Sequence, residues 1–330
     1  MTRSATASPS PGAPAVASPP WRRRIFWGYA LLVAVGLAAP WLVYPVFAMN
    51  VLCLALFASA FNLLLGHAGL LSFGHAAFFG AAAYAAGLAT RDLGLPPLAG
   101  LLVGTAVATL LGAVFGALAI RRSGIYFAMI TLGFAQLVYF LALQMGWTGG
   151  EDGFQGIPRG RLLGLLSLEE PHAMYYFTYG VFLLGFWLLH RTIESPFGRV
   201  LRAIRENEPR ALSLGYDVAR HKLLAFVISA GLSGLAGALR ALVNQFAALP
   251  DLDWHTSGAV VLMTLLGGLG TVMGPSVGAL LVASLENGLA GFGSWVTVIT
   301  GAVFVVCVMA FRRGMVGELR AAARRSFYGG

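Results

Sequence analysis

The amino-acid sequence predicts an all-α polytopic membrane protein with about eight to ten transmembrane helices, including a broken or re-entrant hairpin. Composition is the first reason: of 330 residues, 58% are hydrophobic and 11% charged, against roughly 45–50% apolar in soluble domains. The second is that apolar runs recur between arginine clusters, each close to the roughly 20 residues a helix needs to cross the hydrocarbon core. The third is "LLGGLGTVMGP" (265–275), where four glycines and a proline interrupt an apolar stretch that no ordinary helix continues.

Taken in order, "MTRSATASPSPGAPAVASPP" is rich in proline, serine and alanine without an apolar run. Residues 1–21 are therefore expected to form a disordered cytoplasmic tail and not a signal peptide. Arg22, Arg23 and Arg24 anchor a transmembrane domain expected over 22–311. Spans are expected at 25–44, 46–65, 70–90, 97–120, 125–145 and 174–190, then at 223–243, across a broken stretch at 258–289, and at 295–311. Arginine placement decides orientation, because cytoplasmic loops retain positive charge. Arg121, Arg122, the loop 191–222 with its seven Arg and Lys residues, and the basic tail 312–330 are placed inside with the N-terminus. The acidic loop 146–173 and "PDLDWH" (250–255) fall outside. The parity is consistent: six crossings bring 191–222 inside, and an inside C-terminal tail requires 258–289 to cross twice or re-enter.

A net charge of +9 would point to nucleic acid in a soluble protein. Here the arginines lie between apolar spans, so nucleic acid is excluded as a partner and membrane lipid takes its place. Cys53 and Cys307 lie in apolar spans without a CxxC pattern and read as packed thiols.

"LLLGHAGLLSFGHAAFFG" (63–80) holds two histidines, a serine and four glycines at membrane depth, where lipid offers no hydrogen bonds. It shares an L-L-G-x-x-G core with the hairpin break: Leu64, Leu65, Gly66 and Gly69 correspond to Leu265, Leu266, Gly267 and Gly270. Paired glycine-interrupted segments in two halves of a transporter mark a translocation path. Glycines equally let helices pack closely, and both readings stand. The path candidates are Asn62, Gly66, His67, Gly69, Ser72, Gly74 and His75, facing Gly267, Gly268, Gly270 and Thr271. No metal site is expected, because His67 and His75 are separated by about 12 Å along a continuous helix, with no carboxylate or cysteine nearby. Nor is a catalytic residue expected: no G-x-S-x-G elbow is expected anywhere in the chain, and no acid orients a base beside Ser72. Asn62, Gln136, Gln144, Asn244 and Gln245 suit interhelical hydrogen bonding more readily than substrate binding. Arg240 and Glu286 are the ionisable residues nearest membrane depth; Arg240 is expected to snorkel, and Glu286 is the carboxylate a proton relay would use.

In "RTIESPFGRVLRAIRENEPRALSLGYDVARHK" (191–222), Val200, Leu201, Ile204, Ala211, Leu212 and Leu214 recur among charged residues, which predicts short amphipathic helices. Pro209 is expected to start one and Gly215 to end it. Their apolar faces need a cover, either lipid headgroups or a groove on a soluble protein. The single lysine, Lys222, lies between His221 and Leu223, so no phosphate-binding G-x-x-x-x-G-K-[ST] loop is present and any ATP hydrolysis falls to another chain.

Five blocks carry a family resemblance: "NLLLGHAGLLSFGHAAFFGAAAY" (62–84), "GIYFAMITLGFAQLVYF" (124–140), "TGGEDGFQGIP" (148–158), "FGRVLRAIRENEPRALSLGYDVARHKLLAFVISAGLSGLAGAL" (197–239) and "LLGGLGTVMGPSVGA" (265–279). In content and order they resemble LivM-type permease subunits of ATP-binding-cassette importers for branched-chain amino acids. That resemblance implies a non-enzymatic permease subunit of the bacterial inner membrane, with both termini cytoplasmic, moving hydrophobic amino acids by alternating access. It implies a homologous permease partner in a heterodimer, two cytoplasmic ATPase subunits that carry ATP and Mg, and a periplasmic substrate-binding protein, with no cofactor bound by this chain. By the same resemblance, Arg205, Glu206, Asn207, Glu208, Arg210, Ala211, Leu214 and Gly215 form the ATPase-coupling loop, and Glu151 and Asp152 face the binding protein. The chain departs from the family's alanine-rich run at Pro209, Arg210 and Ala211. Urea or short-chain amides are the alternative substrates, and a proton-coupled secondary carrier is the alternative mechanism.

Overall fold

The computed structural model describes residues 33–162, 166–293, 295–310 and 314–318. The tail expected at 1–21, Arg22 to Arg24 and most of the tail expected at 312–330 lie outside those residues. The architecture is all-α, and proline sets the start of several helices. Pro45, Pro97, Pro171 and Pro196 open α2 (Pro45–Asn62), α4 (Pro97–Ala119), α6 (Pro171–Glu194) and α7 (Pro196–Glu206). At a first turn the missing N–H has no helical acceptor to lose. The remaining helices are α1 (Val33–Leu42), α3 (His75–Arg91), α5 (Ile125–Gln144), α8 (Glu208–Ser213), α9 (Val218–Asn244), α10 (Trp254–Gly267), α11 (Gly274–Leu289) and α12 (Trp295–Ala310). Two short antiparallel ribbons lie among the loops: β1 (Phe154–Gln155) with β4 (Phe246–Ala247), and β2 (Arg161–Leu162) with β3 (Leu166–Ser167).

Helix α9 lies at the centre, packed on α2, α3 and α4. Helix α2 contacts α6, α10 and α11 on its other sides, and α12 packs on α10 and α11. Helix α1 is held to α6 by hydroxyls, Tyr175 Oη donating to the Gly36 carbonyl at 2.6 Å and Tyr179 Oη to that of Val33 at 3.2 Å. Most of α3 is buried, and its alanines and glycines let backbones approach. The closest approach is at Gly237 of α9, where a Cβ would lie 2.6 Å from the Phe79 carbonyl carbon and 2.9 Å from its Cα.

Five helical segments among the described residues are long and apolar enough to cross a membrane: Pro45–Ala68, Pro97–Ala119, Ile125–Gln144, Pro171–Glu194 and Val218–Asn244. The span expected at 70–90 is corrected: helix α3 starts only at His75, because Gly69 turns the chain with φ +73° and residues 69–74 are not helical. The chain also breaks between α10 and α11, at the expected glycines. At 1.5 Å per residue these legs measure about 21 and 24 Å, each short of the roughly 30 Å hydrocarbon core.

The α3–α9 approach generates a stability test. Gly237→Ala inserts a methyl against backbone that cannot swing aside, a cost of about 1–3 kcal/mol, and is expected to lower the thermal unfolding midpoint of the detergent-solubilised protein. Gly133→Ala, where nothing lies within 4 Å, is expected to leave it unchanged.

Candidate functional site

Helix α2 does not end as an ordinary helix. It widens into a π turn, Leu63–Ala68, closed by the Gly69 N–H donating to the Leu64 carbonyl. The last carbonyls of any helix lack intrahelical donors, and here the Gly66 carbonyl accepts from Arg205 Nη1 of α7. The break between α10 and α11 is closed by its own threonine: Thr271 Oγ1 donates to the Gly268 carbonyl at 2.8 Å and accepts from the Gly274 N–H at 3.1 Å. Asn62 joins the two breaks. Its Nδ2 donates to the Thr271 carbonyl at 2.9 Å, and its Oδ1 accepts from the Gly270 N–H at 3.0 Å. His67, also buried, has Nδ1 3.2 Å from the Asn62 carbonyl.

Of the residues expected along a path, Asn62, Gly66, Gly270 and Thr271 thus converge, with Arg205 among them. Gly69 lies under the Arg205 stem, since a Cβ there would sit 2.9 Å from Arg205 Cγ. Gly267 packs against the start of α11, and Gly268 turns the chain with φ +116°. Ser72 Oγ accepts from the Gly74 N–H at 3.2 Å, and the Phe73 N–H donates to Thr131 Oγ1 at 3.1 Å, tying the start of α3 to α5. His75 is separate from the junction. It is fully buried beside Phe61, Phe78 and Phe226, with Nε2 2.9 Å from Ser229 Oγ. Because Ser229 donates its own hydrogen to the Ala60 carbonyl at 2.7 Å, His75 Nε2 is the donor. Among the described residues no group of three or more His, Cys, Asp or Glu is placed to hold a metal. The expectation that no G-x-S-x-G pattern occurs is corrected, since Gly274 to Gly278 spells it; yet Ser276 sits in the first turn of α11 with Oγ 3.3 Å from Ser59 Oγ, without the strand of a nucleophile elbow.

The loop expected between spans folds into α7 and α8, each capped by its own sequence: Ser195 Oγ accepts from the Gly198 N–H and Asn207 Oδ1 from the Arg210 N–H. Ile204, Ala211 and Val218 bury against one another as a small separate core, with Val200 packed alongside. Lys222 Nζ pairs with Glu208 Oε1 at 2.7 Å and fastens α8 to the start of α9. Gly215 closes the turn with φ +85°, while Glu206 and Arg210 are exposed and Leu212 and Leu214 remain 56% and 68% exposed. No local pattern announces the Lys222–Glu208 pair, because the two residues lie on different helices and only the turn at Gly215 folds one onto the other.

At the opposite end Glu151 and Asp152 line a concavity of about 330 Å³ together with Gln155, Gln245, Phe246 and Pro250. Beneath it Arg240 does not snorkel freely: Nη1 lies 3.2 Å from Asp251 Oδ1, whose side chain is 13% exposed. Burial pushes the Asp251 carboxyl above the usual carboxylate range, and Arg240 pulls it partly back. Glu286 is exposed.

Replacing Asn62 with Leu removes the part-buried bonds to the Gly270 N–H and the Thr271 carbonyl, at about 0.5–1.5 kcal/mol for each. The expected result is a lower unfolding midpoint in detergent and faster amide exchange at Gly270; Asn62→Asp, which keeps the acceptor and loses the donor, is expected to fall between.

Residues 46–308 match the family described as branched-chain amino acid transport system / permease component. The chain is 29% identical over 287 residues to the high-affinity branched-chain amino acid transport system permease protein LivM of Escherichia coli, covering 78% of this chain. It spans 66% of that relative's length. It is also 31% identical over 195 residues to the ribose import permease protein RbsC of Bacillus subtilis, covering 54% of this chain and 58% of the relative, and 31% identical over 204 residues to the autoinducer 2 import system permease protein LsrC of an Enterobacter species, covering 58% and 56%. No solved structure matches. The chain belongs to the family of branched-chain amino acid transport system permease components.

Proposed function

We propose that this chain is the permease subunit of an ATP-binding-cassette importer that moves branched-chain amino acids across the bacterial inner membrane by alternating access. The observation that carries the reading is the α7–α8 unit. It has its own small core, it presents exposed Leu212 and Leu214, and it sits at the end of the bundle where the two broken helices meet. Exposed apolar side chains at the end of a short helix suit a groove on a soluble partner, and an ATPase docked there would move helices it does not touch. Two such ATPases would carry ATP and Mg, and a homologous permease subunit would complete a heterodimer. With α7 and α8 cytoplasmic, both termini are cytoplasmic. The concavity at Glu151 and Asp152 then opens outward, where a binding protein delivers substrate. The path would run past the joined breaks, from Asn62, Gly66, His67, Gly69, Ser72 and Gly74 to Gly267, Gly268, Gly270 and Thr271, with His75 packed behind it and not lining it. Weak contacts along it favour release.

A small polar solute such as a sugar is the second substrate reading, since relatives named for ribose and autoinducer 2 import match the same chain. In vesicles holding the complete assembly, uptake of radiolabelled leucine is expected to require ATP and the ATPases and to survive collapse of the proton gradient. Uptake that needs the gradient and ignores ATP would establish a secondary carrier instead; ATP-driven uptake of ribose without leucine would establish the second substrate. Introducing glutamate at both Leu212 and Leu214 is expected to weaken co-purification of the ATPases by about tenfold or more while leaving helical content unchanged.

A further inference from the structure

We propose that Arg205 is a positioning residue that delivers displacement of α7 and α8 to both glycine breaks at once, and that it is an internal linkage and not a contact with the ATPase. The proposal rests on the permease reading above. Arg205 is the penultimate residue of α7; the residue is exposed, but its guanidinium reaches across to the π turn that ends α2. Its stem lies on Gly69, its head donates to the Gly66 carbonyl, and Nη1 lies 3.5 Å from where a Cβ on Gly270 would stand. One guanidinium therefore occupies the meeting point of three elements: the π turn ending α2, the break between α10 and α11, and the end of α7.

The chemistry suits a linkage that holds under load. The end of a helix presents orphaned carbonyls and the negative pole of its dipole, and a cation there makes a charge-assisted bond stronger than a neutral one. A planar guanidinium with five donors keeps its direction better than an ammonium on a flexible stem. Glycine at the contact positions is what lets it in: a side chain at Gly69 would strike the arginine stem, and one at Gly66 would come within 2.7 Å of the Gly270 nitrogen. Because Asn62 ties the breaks to each other, force applied at Gly66 reaches Gly270 and Thr271 without a second lever. A π turn is the natural place to apply it, since such segments carry a wider, less regular ladder than the α-helix they interrupt.

The neighbouring charges do not compete for this role. Arg202 Nη2 donates to the Ile193 carbonyl at 3.3 Å, and Glu208 is held by Lys222. Glu206 and Arg210 are exposed at the surface that α7 and α8 present to a partner.

The test uses the full assembly with its ATPases, in vesicles, with leucine as the transported probe. Arg205→Ala is expected to co-purify with the ATPases and hydrolyse ATP near the wild-type rate, yet to lose uptake by about tenfold or more. Arg205→Lys, which still reaches a carbonyl but lacks the fork, is expected to be intermediate. Hydrogen exchange on the unaltered protein supplies an arm that no folding defect can spoil: trapping with ATP and vanadate is expected to change exchange in 63–72 and in 265–274 together with α7. Wild-type uptake by Arg205→Ala, loss of ATPase co-purification in that variant, or a response of α7 without the two breaks would each overturn the linkage. If ATP has no effect on uptake by the unaltered assembly, the permease reading itself fails.

Discussion

The side-chain amide of Asn62 is the interaction on which the rest of the structure depends. Two helical pairs are broken, one after Ala68 and one after Gly267, and each break frees backbone groups from the helical ladder. An unpaired polar group costs about 1–3 kcal/mol in a protein interior and more in hydrocarbon. An amide is one of the few side chains that carries both a donor and an acceptor. Asn62 turns both toward the other break, satisfying Gly270 N–H and Thr271 C=O with one residue. Neither lost helix is restored, but two weak points are converted into one shared joint.

The surrounding residues follow from that joint. Glycines at 66, 69 and 270 leave space for the amide and for Arg205 beside it. Thr271 closes the hairpin break internally, so Asn62 has only two groups to satisfy there. Ser229, Ser257 and Thr264 perform similar work elsewhere along the buried helices, each directing a hydroxyl to or from a group on another helix. Stability and mobility are thereby separated. The α2–α3–α9 packing is tight down to backbone contact at Gly237, whereas the joint is held by a few directional bonds that a moving α7 can bias.

Much of this was legible in the sequence because glycine and proline state where helices cannot continue. The hairpin break, the start of α8 within a residue of Pro209 and its end just before Gly215 follow from backbone chemistry alone, and the L-L-G-x-x-G repeat falls at both breaks. The start of α3 was misplaced because an apolar run does not reveal where its backbone turns; Gly69 does so only once its φ is known. Asn62 was visible as a polar residue at membrane depth, but nothing local announced that its partners lie more than two hundred residues away, on Gly270 and Thr271. Arg205 was legible only as part of a basic amphipathic loop; its bond to the Gly66 carbonyl depends on the docking of α7 against the π turn, which no local pattern announces. The Arg240–Asp251 pair was hidden in the same way, by a turn after α9 that brings a loop carboxylate back over the helix.

The central claim is that the two breaks move as one body under control of α7. Leu71 and Leu269 are exposed, one beside each break, and accept spin labels without disturbing the core. The distance between labels at these positions, measured in the full assembly with and without trapped nucleotide, tests the claim most directly. The account predicts an unchanged distance across the cycle while distances from either label to α5 change; a distance between the two breaks that itself shifts with nucleotide would contradict it.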